Sequence, residues 1–237
     1  MSMLRLVVSS LLLGGLIFSA NGSEGTNDSD GSVKLDVEGW SVTIDKEMSE
    51  NEKEKSKAIT AVANHLQRIK YIVPENRVTE LQRLPIRLDL HYQPLKNMQY
   101  HPSPNWLKNN GHDPALAKHV HIPRAAHLTD PSQWAKHPYV ILHELAHAYH
   151  DQILGYNHPE ILATYQSAKE SKIYEEVLSH TGQKVQHYGL NNHKEYFAEM
   201  TEAYFGVNDF YPFVRAELKQ HDPKMFSLLT KIWGEIE

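Results

Sequence analysis

The chain has 237 residues, of which 41% are hydrophobic and 22% are charged, a composition typical of a folded globular protein. It carries 24 lysines and arginines against 29 aspartates and glutamates, and the resulting net charge of -5 gives no reason to expect nucleic-acid binding. The absence of cysteine excludes disulfides, thiolate metal sites and cysteine nucleophiles. Histidine, whose imidazole is a common metal ligand, is abundant at 16 residues.

The N-terminal segment has the features of a secretory signal peptide. Arg5 precedes an apolar run from Leu6 to Ala20, and small residues follow it. This run is shorter than the roughly 20 residues that span a bilayer. We therefore predict a signal peptide at residues 1–22, no stable membrane anchor, and a secreted or periplasmic protein. Residues 23–32 are small, polar and acidic, which predicts a flexible leader before a single domain over residues 33–237.

Three segments of this domain have strand patterns. Residues 33–44 alternate apolar and polar side chains around Gly39, which predicts a half-buried strand with a bulge. A second alternating segment at residues 86–90 is followed by residues 93–118, a loop rich in Pro, Asn, Gly and His that we expect to help shape a cleft. Residues 119–123 (HVHIP) predict a short strand, and its proline favours a sheet edge that could pair with an extended peptide.

Helical patterns occupy most of the remaining chain. Ser49 and Glu52 form a candidate capping box for the first long helix. From residue 138 onward the chain is predicted to be mostly helical. The predicted helix starts in this half are Pro138, Pro159, Asn192, the segment Asp209–Pro212 and the pair Asp222–Pro223. A small sheet combined with a helical second half predicts an α+β fold.

Residues 143–147 read His-Glu-Leu-Ala-His within an apolar helical pattern. His143 and His147 lie one helical turn apart, so both rings can reach one cation. Glu144 then lies beside the open position of the metal, where it is free to move protons. Because unpaired His and Glu destabilise a buried helix, the pattern predicts bound zinc rather than a hydrogen-bonded core cluster. His150, two turns from His143, is expected at the surface.

A third ligand has to come from another helix. Residues 192–205 carry Glu195, Glu199 and Glu202 along one helix face. One of these glutamates can bind zinc, while the next along the helix accepts the second ring N–H of a ligand histidine. The spacing itself leaves the choice between Glu195 and Glu199 open.

Residues 137–205 resemble the protease domain of anthrax lethal factor and related gluzincins, a family of zinc metallopeptidases. In that family the His-Glu-x-x-His helix is followed by a Glu-aromatic-aromatic-Ala-Glu helix, which matches residues 195–199 (EYFAE) here. The resemblance implies a zincin-like fold, with an edge strand packed on the active-site helix. It also implies that Glu195 is the third zinc ligand, that Glu199 supports a ligand histidine, and that Tyr188 donates to the substrate oxyanion.

The sequence therefore predicts a secreted zinc-dependent endopeptidase that acts on a protein or peptide, with Glu144 as the general base. Its length, signal peptide and helix motifs are also similar to small secreted bacterial proteins of this peptidase group. One alternative is an exported zinc-binding protein without catalysis, which the histidine content favours but which has no use for Glu144. Another is a zinc hydrolase of non-peptide amides, which the same residues would serve.

Overall fold

The structure is a computed structural model that describes residues 26–27 and 30–236. The predicted signal peptide lies outside the described residues, as does half of the predicted leader, and the division of the chain into these parts stays a prediction. Within the described part, no helix combines the length and the apolar character needed to cross a membrane. A small mixed sheet precedes a mostly helical second half, which confirms the predicted α+β fold.

A six-stranded sheet occupies the first half of the described chain, in the order β1-β2-β3-β4-β6-β5. Strands β2 and β3 are antiparallel, β3, β4 and β6 run parallel, and β5 pairs antiparallel with β6 at the outer edge. The strands are β1 (Thr26–Asn27), β2 (Val33–Val37), β3 (Trp40–Ile44), β4 (Ile86–Leu88), β5 (Gln99–Tyr100) and β6 (Val120–Ile122).

The first predicted strand is in fact a hairpin. Residues 33–44 fold into β2 and β3, which are joined by Glu38 and Gly39. Both turn residues have positive φ angles, 57° and 92°, as a two-residue hairpin turn requires. The Gln82 side-chain amide donates to the Glu38 carbonyl at 2.9 Å and holds the turn. The bulge prediction was wrong because a Glu-Gly turn lacks the usual Asn-Gly or Asp-Gly signal.

The predicted edge strand at residues 119–123 is an inner strand. β6 has neighbours on both sides, since β4 pairs with one edge and β5 with the other. The true edge strand, β5, is only two residues long and comes from the loop that we expected to shape a cleft. So short a segment has no detectable alternation, and its neighbour β6 was therefore assigned to the edge incorrectly.

Ten α-helices are found among the described residues. They are α1 (Lys46–Ser49), α2 (Glu52–Ile72), α3 (Glu75–Leu81), α4 (Pro104–Asn109), α5 (Pro131–Lys136), α6 (Val140–Tyr149), α7 (Pro159–Ser171), α8 (His193–Phe205), α9 (Arg215–His221) and α10 (Pro223–Trp233). A small hairpin, β7 (Val177–Leu178) with β8 (Lys184–Val185), lies between α7 and α8. The helices predicted to start at Pro159, Asn192 and Asp222–Pro223 are confirmed.

Three helix starts differ from the prediction. The helix predicted to start at Pro138 begins two residues later, at Val140. Asn51, rather than Ser49, caps α2, because its side chain accepts the backbone N–H of Glu54 at 3.2 Å. No helix begins in the segment Asp209–Pro212. That segment is irregular and is held against the small hairpin, where Tyr211 donates its N–H to the Leu178 carbonyl at 2.8 Å, and α9 begins only at Arg215.

Helix α6 lies at the centre of the molecule, and all ten of its residues are buried. It packs against β5 and β6 on one side and against α8 and α2 on others. The helix continues through a π-helical turn, His150–Leu154. His150 was predicted at the surface, but it is fully buried with its ring against those of Tyr156 and Phe197. That prediction was wrong because the turn keeps the ring inside the core.

Candidate active site

Helix α6 brings three chemically active side chains to one place. His143, Glu144 and His147 are 5%, 7% and 8% exposed, yet all three line a cleft of about 450 Å³. Their burial follows from the apolar sequence around them, which fixes the helix in the core and leaves only this face open. Residues 97–100, at and before β5, line the opposite wall of the cleft. The loop that contains them therefore shapes the cleft, as predicted.

Helix α8 supplies a carboxylate to the same place. The Asn192 side chain accepts the backbone N–H groups of Lys194 and Glu195 at 2.9 and 3.1 Å, which fixes the start of the helix. Glu195 lies in the first turn, and its Oε2 lies 3.1 Å from His147 Nε2 and 3.4 Å from His143 Nε2. The two Nε2 atoms are 3.1 Å apart. Two imidazoles and one carboxylate thus converge on a single point.

This donor set fits zinc. Tetrahedral zinc with bonds of about 2.0–2.2 Å holds neighbouring ligand atoms about 3.3 Å apart, and the three separations are 3.1, 3.1 and 3.4 Å. Burial acts to raise the pKa of Glu195, but the facing histidines outweigh it and hold the pKa well below the usual range. Glu195 is therefore ionised, as a metal ligand must be.

Glu144 lies in this cleft beside the three converging atoms without contributing one of them. Burial raises the pKa of its carboxyl above the ordinary value, although the histidines of α6 act in the opposite direction. The backbone N–H of Tyr100, on edge strand β5, donates to Glu144 Oε2 at 2.8 Å. This bond fixes the orientation of the carboxylate, as a group that accepts and returns a proton requires.

Tyr188 lies on the rim of the cleft, 46% exposed, and lines it together with His143 and Glu195. Partial burial and the charge of Glu195 raise the pKa of the phenol. The hydroxyl therefore remains protonated at neutral pH and can donate a hydrogen bond.

The outer face of His143 meets Glu202 rather than Glu199. His143 Nδ1 lies 2.7 Å from Glu202 Oε1, whereas the closest approach of Glu199 is 3.8 Å. Glu202 also accepts His137 Nε2 at 2.8 Å. Burial acts to raise the pKa of Glu202, but His137 and His143 outweigh it and lower the pKa to about 2. An ionised carboxylate only accepts, so His143 carries its proton on Nδ1 and presents the lone pair of Nε2 to the metal position.

We expect Glu202→Gln to weaken zinc binding about 10- to 100-fold, because the amide no longer holds His143 in the metal-binding tautomer with a full charge. The measurement is competition for zinc against a chelator of known affinity. Glu199→Gln is the matched control, since it is an equally buried acid on the same helix without a hydrogen bond to His143. A larger loss in Glu199→Gln than in Glu202→Gln would contradict this assignment and restore the role that the resemblance implied.

A second recess of about 280 Å³ opens from the cleft and shares His143, Glu144 and Tyr188 with it. Glu199 and Asp209 also line this recess and are 2% and 4% exposed. Glu199 Oε2 and Asp209 Oδ1 have no hydrogen-bond partner among the described residues. Burial, together with the neighbouring acids, raises the pKa of Glu199 to about 8, and burial raises that of Asp209.

Sequence reasoning missed four contributors to this region. His137 precedes the helix pattern and belongs to no motif, and Asp209 was assigned to a helix start. Glu202 was recognised as the third acid on its helix face, but it received no role. A signal for Glu202 was present, because residues seven apart on a helix lie on the same face and Glu195 was already a candidate ligand. The role of Tyr100 depends on a backbone N–H, for which no side-chain signal exists.

Comparison with known families supports the resemblance seen in the sequence. A family described as "Anthrax toxin lethal factor, N- and C-terminal domain" matches residues 127–232 of this chain. The matched segment contains α6, Tyr188 and α8, so it includes every residue of the candidate zinc site. The similarity confirms the predicted resemblance to lethal factor, whose family consists of zinc metalloproteases. Comparison with curated proteins and with solved structures gave no match.

Proposed function

We propose that this protein is a secreted zinc-dependent endopeptidase. The observation that carries the proposal is the convergence of His143, His147 and Glu195 to within 3.1–3.4 Å at the base of an open cleft, with Glu144 beside them. The similarity of residues 127–232 to the lethal factor family supports the same reaction class. The signal-peptide pattern at residues 1–22 supports action outside the cytoplasm, either in a periplasm or beyond the cell.

In this mechanism His143, His147 and Glu195 would hold zinc, which would act as a Lewis acid that makes water more acidic and polarises the scissile carbonyl. Glu144, oriented by the Tyr100 N–H, accepts a proton from the attacking water and returns it to the leaving amine. Its buried position keeps bulk water from competing for that proton. The Tyr188 hydroxyl donates to the oxygen that becomes negatively charged.

The edge strand β5 provides the backbone for substrate binding in this proposal. It lies at the end of the sheet and lines the cleft through Gln99 and Tyr100. An extended peptide can add to such an edge through main-chain hydrogen bonds. This assigns to β5 the role that the sequence gave to residues 119–123.

The direct test is to purify the protein, measure its zinc content, and follow cleavage of a broad peptide library before and after zinc removal by a chelator. We expect cleavage that stops when zinc is removed and returns when zinc is restored. Bound zinc with no cleavage of any peptide would favour the non-catalytic zinc-binding protein. If the protein hydrolyses only non-peptide amides, it is a zinc hydrolase of a different substrate class and not a peptidase.

We expect Tyr188→Phe to lower kcat about 10²- to 10³-fold, the usual cost of losing one oxyanion donor, with zinc content unchanged. The phenylalanine keeps the ring at the cleft rim and removes only the hydroxyl. Steady-state kinetics on the best library peptide and metal analysis measure both quantities. Tyr211→Phe is the matched control, because Tyr211 lines neither the cleft nor the recess. A wild-type kcat in Tyr188→Phe would remove Tyr188 from the mechanism.

A further inference from the structure

The recess beside the zinc site contains two buried acids that the proposed mechanism does not use. Glu199 and Asp209 come from different parts of the chain, one from α8 and one from the irregular segment after it. Each has one carboxylate oxygen without a hydrogen-bond partner among the described residues, and both residues are more than nine-tenths buried. A buried polar atom of this kind is costly unless a partner is supplied.

The other charged groups near the recess do not compensate these two acids. His137 and His143 both donate to Glu202, at 2.8 and 2.7 Å, whereas Glu199 comes no closer than 3.8 Å to His143. Lys136 also lines the recess, but its side chain is exposed at the mouth and its charge is screened by solvent. Among the described residues, neither carboxyl group of the recess therefore has a cationic partner within hydrogen-bond distance.

A metal ion is a poor match for this pair of acids. The described residues contain two groups of potential ligands whose atoms lie within 4.8 Å of one another, and neither includes Glu199 or Asp209. A guanidinium or ammonium group at the end of a long side chain bridges wider separations, because several N–H donors extend from one charge. The volume of about 280 Å³ is below the roughly 300–1,000 Å³ of pockets for drug-sized ligands and suits a single side chain.

The position of the recess allows it to bind a substrate side chain next to the scissile bond. It shares His143, Glu144 and Tyr188 with the catalytic cleft, so a side chain that enters it belongs to a residue adjacent to the reacting carbonyl. We propose that Glu199 and Asp209 select a lysine or arginine beside the scissile bond. This inference rests on the proposed peptidase function and names the substrate class of the same site.

The test compares two peptides that differ only in whether one side chain ends in a charged guanidinium or a neutral ureido group. Sequencing the products of a peptide library by mass spectrometry first locates the cleavage site. Two peptides then carry arginine or its uncharged analogue citrulline at the position beside that site. Because a hydrogen bond to a charged group contributes about 1.5–3 kcal/mol, we expect kcat/KM to be at least about tenfold higher for arginine.

Asp209→Asn and Glu199→Gln should each reduce this arginine-to-citrulline ratio, whereas Glu47→Gln, an exposed acid that lines neither the cleft nor the recess, should leave it unchanged. A wild-type ratio near one overturns the inference, and so does a ratio that persists in both recess variants. If Asp209→Asn does not fold, Glu199→Gln and the wild-type ratio still decide. Metal analysis gives a further check. If the wild type binds a second zinc ion that is lost in Asp209→Asn but kept in Glu195→Gln, the recess is a metal site and the inference is overturned.

The outcomes separate this inference from the function on which it rests. Cleavage of both peptides at equal rates, abolished by Glu144→Gln, overturns the basic specificity and leaves the peptidase intact. No Glu144-dependent cleavage of any library peptide overturns both proposals.

Discussion

Glu144→Gln is expected to lower kcat about 10²- to 10⁴-fold while the protein keeps its wild-type zinc content. The amide has nearly the shape of the carboxylate and can still accept the Tyr100 N–H, so the packing of α6 and β5 is preserved. It cannot take up a proton from the attacking water. The loss therefore reports the proton transfer rather than a change in structure.

The measurement pairs single-turnover kinetics with metal analysis and thermal unfolding of both proteins. Glu80→Gln is the matched control, because Glu80 is a partly buried acid that bonds to Arg77 and Tyr149 away from the cleft. We expect that control to retain wild-type turnover. Full activity in Glu144→Gln would exclude a general-base role, and absence of cleavage by the wild type as well would favour the non-catalytic zinc-binding protein.

Local signals in the sequence were enough to predict the two helices that hold the candidate zinc site. The His143–His147 pair lies in a continuous apolar pattern, and Asn192 and Gly206 mark the start and end of α8. A contact between the two helices does not follow from either pattern alone. The family resemblance supplied it by pointing to Glu195, and the structure brings this carboxylate within 3.4 Å of both rings.

The features that sequence reasoning missed depend on contacts between distant segments. The edge position of β5 is set by its pairing with β6, from a later part of the chain. His150 is buried because a π-helical turn carries it between two aromatic rings. Glu202 takes the bond to His143 in preference to Glu199 because of the relative rotation of α6 and α8, which spacing along one helix cannot give.

Glu195→Gln is expected to reduce zinc affinity by more than the roughly 10- to 100-fold effect of losing an outer hydrogen-bond partner. The substitution removes the anionic ligand itself and leaves two neutral imidazoles and a weakly coordinating amide. Its backbone N–H still bonds to Asn192, so the start of α8 should remain intact. Zinc content after dialysis against a zinc buffer measures the loss, and circular dichroism checks the fold.

Glu199→Gln distinguishes the two ligands that the spacing left open. Glu199 approaches the outer nitrogen of His143, 3.8 Å from Nδ1, and does not belong to the converging trio. It should therefore retain zinc under conditions in which Glu195→Gln has lost it. Because both variants replace a carboxyl group of the same helix by an amide, a general effect of that substitution on the helix would weaken zinc binding equally in both. Retention of zinc by Glu195→Gln together with its loss from Glu199→Gln would assign the third ligand to Glu199 and remove the geometric basis of the proposed mechanism.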